Sequence, residues 1–122
     1  MSIVLALLIG VLTTVGTLLV LQHTLTRIVL GLGLLANAAN LLVLAAGGPP
    51  AEAPIIGRDG PFADPVPQAL VLTSIVIGLA ITTFLLAVAY RSWTIDGNDQ
   101  VEDDIEDRRL AGRERARRED RP

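Results

Sequence analysis

Cysteine and lysine are both absent from this 122-residue chain. Without cysteine there is neither a disulfide nor a thiolate metal site. Only 3% of the residues are aromatic, although 51% are hydrophobic. That is too apolar for a small soluble domain and too poor in rings to pack a conventional compact core. Charge is missing over long stretches: residues 3–21, 28–46 and 69–90 contain none at all. Carboxylates, lysines and histidines inside a membrane are the usual marks of proton relays and ion sites, and these runs hold none. No metal-ligand cluster, nucleotide-binding loop or nucleophile–base pair is present either. Neither an enzyme active site nor a cofactor is therefore expected.

What the three runs do have is length. Their 19, 19 and 22 residues make roughly 28, 28 and 33 Å of helix at 1.5 Å per residue, against a hydrocarbon core about 30 Å thick. Lipid offers backbone groups no partner and the runs lack the alternation of a barrel strand, so helices are the only spanning form open to them. The expected fold is an all-α integral membrane protein with three transmembrane helices. No basic residue precedes the first run, so it is expected to be kept as a span and not cleaved as a leader.

The connections differ. Residues 22–27 form a short turn that makes the first two helices an antiparallel hairpin. Residues 47–67 hold six prolines and the charges Glu52, Arg58, Asp59 and Asp64; they read as an irregular surface loop, since proline removes donors and blocks helix. At its end, in "DPVPQ", Asp64 is placed to cap the third helix and Pro67 to sit in its first turn, with Pro65 and Pro67 fixing the entry angle and Gln68 a further candidate polar position. Arg27 and Arg91 fall on one side of the membrane with the C-terminal tail. Arg58 lies opposite, outnumbered by three acids, which favours an outside N-terminus and a cytoplasmic C-terminus in the plasma membrane.

Two units are expected: a membrane domain over residues 1–91 and a charged tail over 92–122. The tail opens with seven acids between Asp96 and Asp107 and continues into "RRLAGRERARREDRP". Ten acids against seven arginines give it −3, the net charge of the whole chain. Dense charge with little hydrophobicity favours disorder, or a partly helical, solvated segment held by pairs such as Glu114–Arg118. A docking role for a partner is the other reading of the same charge.

Within the runs, small and hydroxyl residues recur at helical spacing: Ala6, Gly10 and Thr14, then Ser74, Gly78 and Thr82. Such stripes let backbones approach closely in lipid. Asn37 and Asn40 are the most polar residues at membrane depth. Spaced i, i+3, they are expected near one face, turned from lipid, either hydrogen-bonding between helices at around 1 kcal/mol each or lining a hydrated ion path. Thr73 can bond its own backbone. His23 lies at the end of the first helix, just past the charge-free run, where interfacial water or a pH-sensing role would suit it.

"TRIVLGLGLLANAANLLVLAAG" followed by "DPVPQALVLTSIVIGLAITTFLLAVAYR" resembles the MrpC family, the three-span members of the Mrp-type multisubunit Na+/H+ antiporters, over about residues 3–92. That family is similar to the K subunit of respiratory complex I, whose second and third helices each carry a functional glutamate. Aligning residues 31–41 and 69–79 with those helices puts Gly33 and Gly78 where the glutamates would be, so this chain cannot supply them. The resemblance implies a non-catalytic membrane subunit of a monovalent cation (Na+)/proton antiporter, lying in lipid beside the large A and D subunits. Those partners would carry the charged groups of the path for Na+ and H+, and no nucleic acid is involved. Two alternatives share the pattern: a self-oligomerising three-span protein of holin type, and a K-like subunit of a complex I-related assembly.

Overall fold

Ser2 starts the first helix: its Oγ accepts a hydrogen bond from the Leu5 amide at 3.1 Å, satisfying one of the donors that a helix start leaves open. The computed structural model describes residues 2–53, 55–101 and 105–122. Its helices are α1 (Ile3–Val20), α2 (Leu25–Ala46), α3 (Pro65–Asp96) and α4 (Ile105–Glu119). The first three are each long and apolar enough to cross a membrane, and β-pairing among the described residues is limited to two isolated bridges.

α1 and α2 form the expected hairpin, but the break between them is shorter than the charge pattern implied. α2 begins at Leu25, so Arg27 lies in its first turn. A charge ends a lipid-compatible run; it does not end a helix. α3 departs further from the apolar run 69–90. It starts at Pro65, with Asp64 as its cap accepting from the Val66 amide at 3.0 Å, and it continues to Asp96. Its 32 residues make about 48 Å of helix, well beyond the hydrocarbon thickness of about 30 Å, and Tyr90 and Trp93 lie toward its C-terminal end. Aromatic rings favour the membrane–water boundary. Gly97 ends the helix in the left-handed region at φ 73°, where glycine carries no Cβ penalty, and its amide bonds the Trp93 carbonyl at 2.9 Å.

α2 is the middle helix. It packs against both α1 and α3, while among the described residues α1 and α3 make no close backbone approach to each other, and α4 packs on none of them. The α1–α2 seam is closed by two glycines. A Cβ on Gly31 would sit 2.7 Å from the Gly16 carbonyl oxygen and 2.8 Å from the Val20 nitrogen. One on Gly16 would meet Leu35 at 2.9 Å. The two backbones touch here, which the absence of side chains allows. Ile9, Val29, Ala38, Val71 and Ala89 are the buried apolar residues. Most other large side chains of α1–α3 are exposed on the isolated chain.

The loop 47–64 is tied at its neck: the Glu52 amide bonds the Pro61 carbonyl at 3.3 Å, and the Ala63 amide bonds the Glu52 carbonyl at 3.0 Å.

Candidate functional site between the second and third helices

Helical periodicity and burial together define the face that α3 turns inward. Pro67, Val71, Ser74, Gly78, Thr82, Leu85, Ala89 and Ser92 are the buried or half-buried positions of this helix, spaced three or four apart. The matching side of α2 is fixed at both ends. A Cβ on Gly47 would lie 3.1 Å from the Pro67 ring, and Thr26 shares a cleft with Leu86, Ala89, Tyr90 and Trp93. Gly33 and Asn40 lie seven residues apart on the Gly47 side, opposite the Gly31 side that meets α1.

Between these ends two glycine positions stay open. Gly33 and Gly78 are both half-buried, yet a Cβ built on either meets no atom within 4 Å. Gly10 in the first stripe is likewise open. The glycine of neither predicted stripe thus sits at a tight helix–helix contact; Gly16 and Gly31 do, which spacing did not single out from the other glycines.

The polar candidates separate. Asn37 is exposed, and its amide nitrogen donates to the Gly33 carbonyl of its own helix at 2.9 Å. Asn40 is half-buried. The expected shared face therefore divides, because residues three apart are about 60° off register: one asparagine points outward and the other toward α3. Thr73 is exposed and bonds the Ala69 carbonyl at 3.0 Å. Thr13, Thr14, Thr17 and Thr83 bond carbonyls four residues back in the same way. These hydroxyls are satisfied locally, which leaves them acceptable to lipid and commits none of them to joining helices. Pro65 occupies the first position of α3 and Pro67 the third. Gln68, exposed beside Asp64, helps line a cavity of about 370 Å³ reached also by Ser2, Leu5, Leu44 and Gly47, where one end of each membrane helix meets.

At the opposite end lies a feature that local sequence reading did not find. The carboxylate of Asp99 accepts from both the amide and the hydroxyl of Thr26. Thr24, the residue at the start of α2, makes no side-chain cap of its own. Asp99, 73 residues away in sequence, supplies the missing acceptor at a helix end that favours negative charge. The Thr26 hydroxyl, helped by the Thr26 amide and the charge of Arg27, holds the Asp99 carboxyl below the usual carboxylate range.

Comparison with known proteins places this architecture. Residues 4–106 match the family described as NADH-ubiquinone/plastoquinone oxidoreductase chain 4L. A protein of Staphylococcus epidermidis called antiporter subunit mnhC2 is 40% identical over 104 residues, covering 83% of this chain and 91% of that one. Its namesake in Staphylococcus aureus is 40% identical over 105 residues, covering 84% and 92%. Among solved structures, the Mrp complex from Dietzia sp. DQ12-45-1b contains a chain that superposes with a TM-score of 0.69 at 42% identity, covering 84% of this chain and 78% of that one.

Proposed function

The chain belongs to the NADH-ubiquinone/plastoquinone oxidoreductase chain 4L family, and from that premise we propose that it is a non-catalytic, multi-pass membrane subunit of a multisubunit Na+/H+ antiporter. The observation that carries this reading is the pairing of antiporter-subunit relatives, aligned over nine-tenths of their length, with spans that bury little of themselves. Only 11%, 17% and 6% of an eighteen-residue window in each of the three spans is buried within the chain, and no acidic, basic or histidine residue lies in the apolar runs. Such a bundle has surface to give to neighbours and no carboxylate with which to couple ions.

The neighbours we assign are the large A and D subunits, which would carry the lysines and glutamates of the path. The chain is oriented with its N-terminus outside and its tail in the cytoplasm of a plasma-membrane complex, as the distribution of Arg27, Arg91 and Arg58 favours. Asn40 is the polar group best placed to face a hydrated slot beside Gly33 and Gly78; Asn37 and Thr73 are turned to whatever covers the outer faces of their helices. The family match over residues 4–106 favours this reading over a self-oligomerising holin. Glycine at positions 33 and 78 favours it over a K-like subunit that would need two carboxylates there.

The test is genetic and biochemical. Express the antiporter genes with and without this chain and measure Na+-driven proton movement in everted vesicles. Loss of antiport without the chain, together with co-purification of the large subunits on a tagged copy, is expected. Full antiport in its absence would refute the assignment.

A further inference from the structure

The last residues before the tail's charged stretch do not leave the bundle. After the Gly97 turn, the chain folds back across the α1–α2 connection. The Leu25 amide donates to the Asp99 carbonyl at 2.8 Å, and the Val101 amide donates to the His23 carbonyl at 2.7 Å. Thr24 and Gln100 face each other as an antiparallel bridge. The Asp99 carboxylate caps Thr26, and the Asn98 side chain accepts from the Gln100 amide at 3.2 Å, which shapes the turn. Two amides of the first turn of α2, those of Leu25 and Thr26, thus find their acceptors on this one residue. A helix start whose own residues leave these donors open needs an outside acceptor, and Asp99 is it.

We infer that Gly97–Val101 is a latch that ties the end of α3 to the start of α2, so that the functional membrane unit ends at Val101 and not where the apolar run stops. α2 and α3 leave open space at Gly33 and Gly78, and the latch fastens one end of this pair as Gly47 against Pro67 closes the other. The family match agrees in extent, running to residue 106 and stopping within the first turn of α4. Beyond the latch, α4 packs on none of the membrane helices among the described residues. The arginine-rich helix is therefore an appendage of the unit, and the Gly97–Val101 segment is a structural part of it.

The absence of cysteine makes the test direct. Facing residues of an antiparallel pair have Cα atoms about 4.5–5.5 Å apart, within the roughly 4.4–6.8 Å that a disulfide bridges. Introduce Thr24→Cys with Gln100→Cys into the full-length chain, co-express it with the other antiporter subunits, and oxidise the membranes; compare Thr24→Cys with Ala111→Cys on α4. The latch pair is expected to cross-link at least tenfold faster than the control pair. Adding Asp99→Ala is expected to slow the latch pair about fivefold, and Asp96→Ala to leave it unchanged. Equal rates for the two pairs, or indifference to Asp99→Ala, would overturn the inference. A second arm uses truncation: a chain ending at Val101 is expected to keep its yield in the complex, and one ending at Asp96 to lose most of it. Equal yields would also overturn it. The cross-link is read in the membrane without any transport measurement, so its failure is distinguishable from a failure of the antiporter assignment.

Discussion

Replacing Gly31 by alanine separates two effects that normally travel together. In an exposed helix the change should help, because alanine exceeds glycine in helix propensity by about 1 kcal/mol. At Gly31 the new methyl would lie 2.7 Å from the Gly16 carbonyl oxygen, 2.8 Å from the Val20 nitrogen and 2.9 Å from the Leu19 Cβ. None of these atoms can swing away by a rotamer change, since two are backbone and the third is bonded to it. α1 and α2 must therefore part. Overpacking of this kind costs typically about 1–3 kcal/mol, and immovable neighbours put Gly31→Ala near the upper end. Subtracting the propensity gain leaves a net loss of about 1–2 kcal/mol. Gly33→Ala provides the contrast within the same helix, two residues away: its methyl meets nothing, so it should be neutral or stabilise the isolated chain by up to about 1 kcal/mol. The assay is titration of the purified chain with a denaturing detergent, following energy transfer between dyes on cysteines placed in α1 and α2. Gly31→Ala should lower the midpoint and Gly33→Ala should not. A Gly31→Ala midpoint at or above that of the unsubstituted chain, or a Gly33→Ala midpoint below it, would refute the packing argument.

Other outcomes follow from the same geometry. Gly78→Glu finds room for its first carbon, but an unpaired carboxylate at mid-membrane depth costs about 2.5–3.5 kcal/mol on insertion scales; complex yield should fall, and a normal yield with raised antiport would mean the slot is a hydrated ion path. Replacing Pro65 and Pro67 together by alanine frees the start of α3 and removes the ring that meets Gly47. Less complex should then co-purify, and an unchanged yield would show the prolines to be incidental. The Asp99 carboxyl is held below its ordinary range by Thr26, so its contribution to stability is complete above the unfolded value of about 3.9 and fades as pH falls through the lowered one. The amide resonance of Thr26 should therefore titrate with a midpoint below about 3.9, leaving the latch closed across neutral and mildly acidic pH. A midpoint at or above that value would contradict the bond.

Much of the fold was legible because lipid imposes a simple rule on sequence. Three charge-free runs marked three membrane helices, and "DPVP" marked the capped start of α3 at Asp64. The rule reports lipid contact, however, and not helix, which is why α2 takes in Arg27 and α3 runs on through Arg91 to Asp96. Glycines were visible as candidates but not distinguishable. Gly10, Gly16, Gly31, Gly33 and Gly78 look alike in spacing, and only the placement of α2 between its neighbours decides that Gly16 and Gly31 touch while the others stay open. Asn37 and Asn40 read as a pair in sequence, but the helix turns one away from the other. Asp99 lay beyond local reading altogether: its partner Thr26 is 73 residues distant, and nothing in an acidic stretch marks which carboxylate will cap another helix.

The central claim is that this subunit holds and seals but does not itself move ions. Purified alone, the chain would be reconstituted into vesicles carrying a pH-sensitive dye, a sodium gradient imposed, and the same measurement made on the complete antiporter. No sodium-dependent proton movement is expected from the chain alone, and rapid exchange from the complex. Robust Na+/H+ exchange by the chain alone would contradict it.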